Sequence, residues 1–351
     1  MELQERWPVL GRHERATQWL TIWADLGRSP RTIEAYARAL SGYLECCERH
    51  KTDPMVAGRE QVAIYLRELR SRPGIHTRGA VEGAQRVGLA NATLQQRLVA
   101  VRLFYDYLIE EGLRTSNPVG RGQGASGGGN GRPSRGLLAR QTELPWIPSE
   151  EQWQAVLAVF ATEPARNRLM VALAYDAALR REELCSLRTD DIDPSRRMLR
   201  IRAETTKTRA GRAVPYSACT GVLLTAYLRH RAVISRDRGP LFLSESRRNY
   251  GRPLTLWTWS KVVRRIAVTA DVEGFSTHTM RHLCLTDLAR MGWDLHAIAT
   301  FAGHRSLEST LRYVHLSGRE LAEKLNQGMN QIHAWRVEML TQQQFPDGTA
   351  S

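Results

Sequence analysis

Lysine is scarce in this chain: Lys51, Lys207, Lys261 and Lys324 are the only four among 50 basic residues in 351. Arginine therefore carries nearly all the positive charge, and any lysine inside a motif stands out. Cysteine is sparse too. Cys46, Cys47, Cys185, Cys219 and Cys284 are odd in number and show neither C-x-x-C nor zinc-ligand spacing, which argues against a disulfide framework or a zinc site and for a reduced cytoplasm. No apolar run approaches the length of a membrane span, and the opening MELQERWPVL is charged, without the apolar centre of a secretory signal. Nothing resembles a Walker loop, and the one acidic run, Asp190-Asp191-x-Asp193, reads as a solvated turn. No nucleotide, metal or other cofactor is expected.

What the chain has instead is positive charge, a formal +14. That implies a polyanionic partner. The excess is spread along the chain: +3 over 1–118, +3 over 119–145 and +8 over 146–351. Such a spread suits a protein that surrounds nucleic acid better than one tethered to it by a basic tail.

Residues 119–136 hold eight glycines in eighteen positions, a composition that buries no core and reads as a flexible linker. Before it, 12–118 is helical. Ser29-Pro30 is a helix start, followed by Ile33, Tyr36, Leu40, Tyr43 and Leu44 at spacings of three and four. Further helices are predicted over 60–70 and from Asn91 to Gly112, with 73–89 a long loop. After the linker, Pro148-Ser149-Glu150-Glu151 starts a capped helix, and helices follow over 166–176 and 181–187. The stretch 197–217 alternates polar and apolar residues around Ala210-Gly211, the pattern of a small antiparallel sheet. Helices resume over 221–231, 255–268, 281–290, 295–301 and beyond Ser306. The fold class is mostly α with a small antiparallel β-sheet. We divide the chain into a helical domain over 12–118, a linker over 119–145, a second domain over 146–334 and a tail over 335–351.

The densest chemistry lies near the C-terminus. His278 and Arg281 are three apart, one helix face, and Gly303-His304 and Tyr313 follow. A planar guanidinium clamps phosphate oxygens through charge and paired hydrogen bonds. A tyrosine brought beside a clamped phosphate can attack it and form a phosphotyrosine.

These residues resemble the tyrosine recombinase (phage integrase) family. Its first arginine motif looks like Ala178-Leu179-Arg180-Arg181-Glu182-Glu183-Leu184, which implies Arg180, in preference to the adjoining Arg181, as the first phosphate clamp and Glu183 as its supporting acid. Thr206-Lys207-Thr208, closing at Val214-Pro215, is similar to the family's lysine-bearing hairpin. His278-x-x-Arg281 matches the second basic box, Phe301-Ala302-Gly303-His304 looks like the Leu-Gly-His box, and Tyr313 stands where the nucleophile belongs. Ala178 occupies a position where the family often has glycine. The first region resembles the core-binding domain, closing Asn117-Pro118 included, so the resemblance covers roughly 12–330. No separate arm-binding domain is expected.

The resemblance implies site-specific strand exchange on double-stranded DNA by a homotetramer holding two sites, through a 3′-phosphotyrosine and a Holliday junction. Arg180 and Arg281 would stabilise charge on the phosphoryl oxygens. Lys207 would protonate the leaving 5′-oxygen, His278 would act as base or relay for the tyrosine, and His304 would hydrogen-bond the phosphate. His282 and His315 are read as packing or locally bonded residues. Beyond Tyr313, Leu321, Leu325, Met329 and Ile332 form an apolar stripe that packs either on its own domain or on a neighbouring protomer. A cytoplasmic, nucleoid-associated protein of bacterial, phage or mobile-element origin is implied. Two rival readings are a topoisomerase-like nicking-closing enzyme and a catalytically silent DNA-binding regulator. The latter would be expected to have lost one of these residues, and none is missing.

Overall fold

The computed structural model describes residues 3–72, 88–120, 137–138, 145–206 and 209–317, without the side chains of 314–317. Lys207, most of the glycine-rich segment, most of the 73–89 loop, the side chain of His315 and the stripe from Leu321 onward lie outside the described residues. The chain separates into two compact units, Met1–Glu143 and Leu144–Ser351.

The first unit contains α1 (Leu3–Arg6), α2 (Pro8–Arg12), α3 (Glu14–Asp25), α4 (Pro30–Arg49), α5 (Arg59–Ser71) and α6 (Asn91–Glu110). Ser29 starts α4 as its residue type predicts: its hydroxyl accepts the Thr32 amide, and Pro30 fills the first helical position. Sequence reading picks out no helix before Ser29, yet α3 buries Ala16, Trp19 and Leu20. Its N-cap is His13, which caps nothing with its side chain, so the usual start signal is missing. The core joins Trp19, Tyr43, Tyr65, Phe104 and Tyr105, and two of its phenols are satisfied in series: Tyr43 bonds Tyr105 at 2.7 Å, and Tyr105 donates to the Pro54 carbonyl at 2.9 Å.

The second unit begins with α7 (Glu150–Ala161), opened by a capping box between Ser149 and Gln152, then α8 (Ala165–Asp176) and the short α9 (Arg181–Cys185). Three strands follow: β1 (Ile192–Asp193), β2 (Met198–Ile201) and β3 (Arg212–Pro215). They form an antiparallel sheet in the order β1-β2-β3, with Leu199 opposite Val214 and Ile201 opposite Arg212. Then come α10 (Ala218–Ile234), α11 (Leu256–Thr269), α12 (Thr279–Arg290), α13 (Leu295–Ala302) and α14 (Glu308–Ser317). The main core gathers Phe160, Leu173, Leu199, Val214, Tyr227, Phe242, Trp259 and Met280. A smaller cluster of Ala178, Cys284, Leu285, Ile298, Ala302 and Tyr313 lies where α12 meets α8, α13 and α14. The candidate nucleophile thus belongs to a packed cluster.

Asp191 departs from the solvated turn expected of its acidic run. It is 3% exposed, and its carboxylate meets Arg202 at 3.1 Å, Arg200 at 3.4 Å and the Arg188 amide at 2.9 Å. A hydrogen-bonded carboxylate closes the entry to the sheet, whereas neighbouring Asp193 does cap an exposed turn at Ser195 and Arg196. Asp191→Ala leaves the Arg188 amide and the Arg202 guanidinium without their shared acceptor. It should cost about 3 kcal/mol in urea-induced unfolding. A change under about 0.5 kcal/mol would make the carboxylate merely a surface charge.

Candidate active site

The site starts from two left-handed turns. Ala178, with φ +45, ends the run from α8, and its carbonyl turns to accept from Arg281. An alanine pays a steric cost in that region, offset here by the complete burial of its methyl in the small cluster. Gly303, with φ +63, ends α13. A Cβ there would come within 3.1 Å of the Arg212 guanidinium, so both the backbone angle and the close approach require glycine.

Arg180 sits at the N-cap of α9. Its amide and its guanidinium both bond Glu183, at 3.0 and 2.8 Å, and its other nitrogen donates to the Gly303 carbonyl at 3.3 Å. Glu183 is 1% exposed. Arg212, on β3, grips the same carboxylate with both terminal nitrogens at 3.0 and 2.9 Å, while its Nε donates to the Phe301 carbonyl at 3.0 Å. Burial alone would push the Glu183 pKa up. The hydrogen bonds and charge of Arg212, joined by Arg180, overcome that and hold it at about 2.

Arg281, in the first turn of α12, is 4% exposed and donates to the carbonyls of Ala178 and Ala302. Burial, together with the charge of Arg180, pulls its pKa down to about 10, so it stays protonated at neutral pH. Three guanidinium groups thus gather near one carboxylate, which Arg180 and Arg212 bond and Arg281 feels only through its charge. The two uncompensated positive charges make the site a receptor for an anion.

His304 follows Gly303. Arg281 Nη2 lies 3.0 Å from its Nε2, and Nδ1 lies 2.9 Å from the Thr310 hydroxyl. Arginine can only donate, so Nε2 is the acceptor and the imidazole is the neutral Nδ1–H form. Its pKa falls to about 3 through burial and then the charges of Arg281, Arg180 and Arg212. The Tyr313 ring lies parallel to His304, centroids 6.0 Å apart, and the residue is 5% exposed. Burial raises its phenol pKa against the lowering pull of Arg281. The structure therefore brings Arg180, Glu183, Arg281, His304 and Tyr313 together. His278, just before α12, is more exposed; partial burial and then Arg181, Arg281 and Arg180 lower its pKa.

Two residues at the site were not singled out by sequence reading. Arg212 had a detectable signal: it shares the inward face of β3 with Val214, and an inward arginine on a strand demands a carboxylate. His282 reads in the sequence as a packing or locally bonded residue. Its Nδ1 instead lies 2.9 Å from the Tyr313 hydroxyl. Elsewhere, Cys46, His50 and Glu68 form the one three-ligand group among the described residues. Glu68 is already bonded by Arg49 and by His50, and burial pushes the Cys46 thiol up to about 12, against the thiolate a metal needs. We read the trio as a tie between α4 and α5.

Removing Arg212 tests the shared carboxylate. A depressed carboxylate pKa contributes stability that is present above its unfolded value near 4.5 and is lost as pH falls toward 2. Arg212→Met should cost about 3 kcal/mol at pH 7, with the deficit shrinking between pH 4.5 and 2. Urea unfolding across that range measures it, and a deficit independent of pH would show that Arg212 matters only for packing.

Comparison with known proteins matches both units. The model of the phage integrase family fits residues 148–320, and that of the phage integrase N-terminal SAM-like domain fits 17–112. Tyrosine recombinase XerC of Mycobacterium sp. (strain KMS) is 28% identical over 310 residues, covering 86% of this chain and 92% of the relative. XerC of Mycobacterium tuberculosis (strain ATCC 25177 / H37Ra) is 30% identical over 242 residues, 66% of this chain and 74% of the relative. The fold is similar to that of the XerH site-specific recombinase bound to its palindromic difH substrate (TM-score 0.62, 22% identity, 83% of this chain and 78% of that one). It is also similar to the Tn1549 transposon integrase in complex with transposon right end DNA (TM-score 0.64, 15% identity, 88% and 98%). With its arginines, histidines and tyrosine gathered on one anion-receptive site, the chain belongs to the phage integrase family of tyrosine recombinases.

Proposed function

We propose that this enzyme is a site-specific DNA recombinase that cuts and rejoins DNA through a 3′-phosphotyrosine on Tyr313 and exchanges strands through a Holliday junction. The observation that carries this reading is the convergence of Arg180 and Arg281, with their excess positive charge, on a buried tyrosine. A phosphodiester is the anion that such a pocket fits. In-line attack spreads negative charge over the phosphoryl oxygens, and the two guanidinium groups, already positioned by backbone carbonyls, stabilise it by redirecting hydrogen bonds toward it.

When the phosphate enters, Arg281 transfers hydrogen bonds from neighbouring acceptors to phosphoryl oxygens. His304 is then freed on its Nε2 side. The phosphate's charge raises its pKa, and it can donate to the phosphate. Lys207 serves as general acid for the leaving 5′-oxygen, and His278 serves as a proton relay at the mouth of the site. The covalent intermediate conserves the phosphodiester's free energy, so rejoining requires no nucleotide. Four protomers act on two DNA sites, with both units of each protomer engaging the duplex and the C-terminal stripe packing on its own unit or docking on a neighbour. A cytoplasmic, nucleoid-associated location accords with bacterial relatives and with the lack of any membrane-spanning helix among the described residues.

Two variants test the roles. Tyr313→Phe keeps the ring in its cluster and removes only the attacking oxygen, so the protein should fold and bind DNA while covalent adducts on a nicked suicide duplex vanish. An adduct mapped to Tyr216, Tyr250 or another tyrosine in the unaltered protein would refute the assignment. Lys207→Ala should slow cleavage of ordinary DNA by about 10²-fold or more, and a 5′-bridging sulfur, which leaves without a proton, should restore most of the rate. Equal impairment on both substrates would assign Lys207 another role.

A further inference from the structure

Tyr313 is almost fully buried, so its hydroxyl hydrogen needs an acceptor inside the protein. His282 supplies one. Its Nδ1 lies 2.9 Å from the phenolic oxygen, and the ring centroids are 5.8 Å apart. Two proton placements fit that distance. A proton on Nδ1 would point at the phenolic oxygen and leave the phenol's own hydrogen without an acceptor among the described residues. The satisfied arrangement has the phenol donating to a bare Nδ1, with the imidazole hydrogen on Nε2. By contrast, the His278 ring centroid is 6.5 Å from that of His282, and no hydrogen bond joins His278 to Tyr313 among the described residues.

We infer that His282 is the general base for Tyr313, taking the phenolic proton on Nδ1 as the tyrosine attacks phosphorus. This rests on the reading of Tyr313 as nucleophile. As the bond from the phenolic oxygen to phosphorus forms, the P–O5′ bond breaks. The phenolic proton passes to His282, and the 5′-oxygen takes its proton from the general acid, Lys207 in our reading. In rejoining, both protons return. His282 is partly exposed, so the acquired proton can also exchange with solvent.

The charged and titratable groups around this imidazole are His278 and Arg281 on the α12 side, Arg312 and Tyr313 on α14, and His304 on the turn after α13. Burial first, then the neighbouring His278, Arg281 and Arg312, bring its pKa down to about 4, so the ring is neutral and ready to accept. So weak a base does not ionise the phenol in advance. It receives the proton during attack, when the phenolic oxygen becomes strongly acidic and the incoming phosphate offsets the arginines.

The test uses full-length protein and single-turnover cleavage of the nicked suicide duplex between pH 6 and 9. His282→Ala should keep DNA affinity within about threefold yet slow adduct formation by about 10²–10³-fold, and added imidazole should recover about tenfold or more. His282→Asn restores a polar atom near the Nδ1 position but cannot take a proton, so it should fold like the parent and stay slow. In both variants the residual rate should climb about tenfold per pH unit, as hydroxide replaces the missing base. A His282→Asn enzyme at parental rate, or a deficit equal at every pH and unmoved by imidazole, would overturn the inference. So would imidazole rescue of His278→Ala combined with none for His282→Ala, which would place the base at His278. Peptide mapping of the parental adduct keeps the two ideas apart: an adduct on another tyrosine refutes the nucleophile assignment, whereas a Tyr313 adduct with indifferent His282 variants refutes only the base.

Discussion

Glu183 is the point on which the catalytic unit turns. Its carboxylate is buried, held ionised, and gripped by Arg180 from one side and Arg212 from the other. A buried carboxylate with one arginine would roughly balance its own desolvation cost. With two arginines it becomes a rigid hinge pin. Arg180 belongs to the turn after α8, Arg212 to the sheet, and Arg212 also reaches the last turn of α13 through the Phe301 carbonyl. One acid therefore sets the relative positions of the first arginine, the sheet edge that follows Lys207 in sequence, and the segment that carries His304. Substrate does not have to organise these elements on arrival.

The remaining donors are held by main chain. Arg281 is directed by the carbonyls of Ala178 and Ala302, and Arg180 by that of Gly303. Those carbonyls lie at the two left-handed turns, which explains why strained or glycine-only backbone clusters here. The arrangement keeps two positive charges close together without a counter-ion of their own. That state is unfavourable in isolation and favours binding of a phosphate.

How much of this could be read from the sequence depended on whether a residue's partner was near it in the pattern. Arg180, Arg281, His304 and Tyr313 occur in ordered, short motifs, and the structure places them side by side. The small sheet was likewise visible in the alternation through 197–217, and α4 in Ser29-Pro30. Arg212 was overlooked because its partner lies 29 residues away and inward arginines on strands are rare. Asp191 was misjudged because acid runs normally face water. The arginines that draw it inward, Arg200 and Arg202, are in the sequence only polar positions of an alternating strand. His282 was set aside because a histidine beside a catalytic arginine has no spacing rule of its own. Its role becomes visible only when α14 folds back on α12 and brings Tyr313 over it.

The resting site thus keeps Arg281, His304, Tyr313 and His282 occupied by one another. Arg281 holds His304, His304 lies along the Tyr313 ring, and Tyr313 is bonded to His282. Both imidazoles are neutral at physiological pH because burial, and after it nearby charges that include the Arg281 awaiting phosphate, disfavour their protonation. A bound phosphodiester changes that balance at one stroke. It draws off the guanidinium hydrogen bonds, raises the imidazole pKa values and lets His304 turn from acceptor to donor. In the proposed mechanism, phosphate binding and proton handling are in this way one electrostatic event.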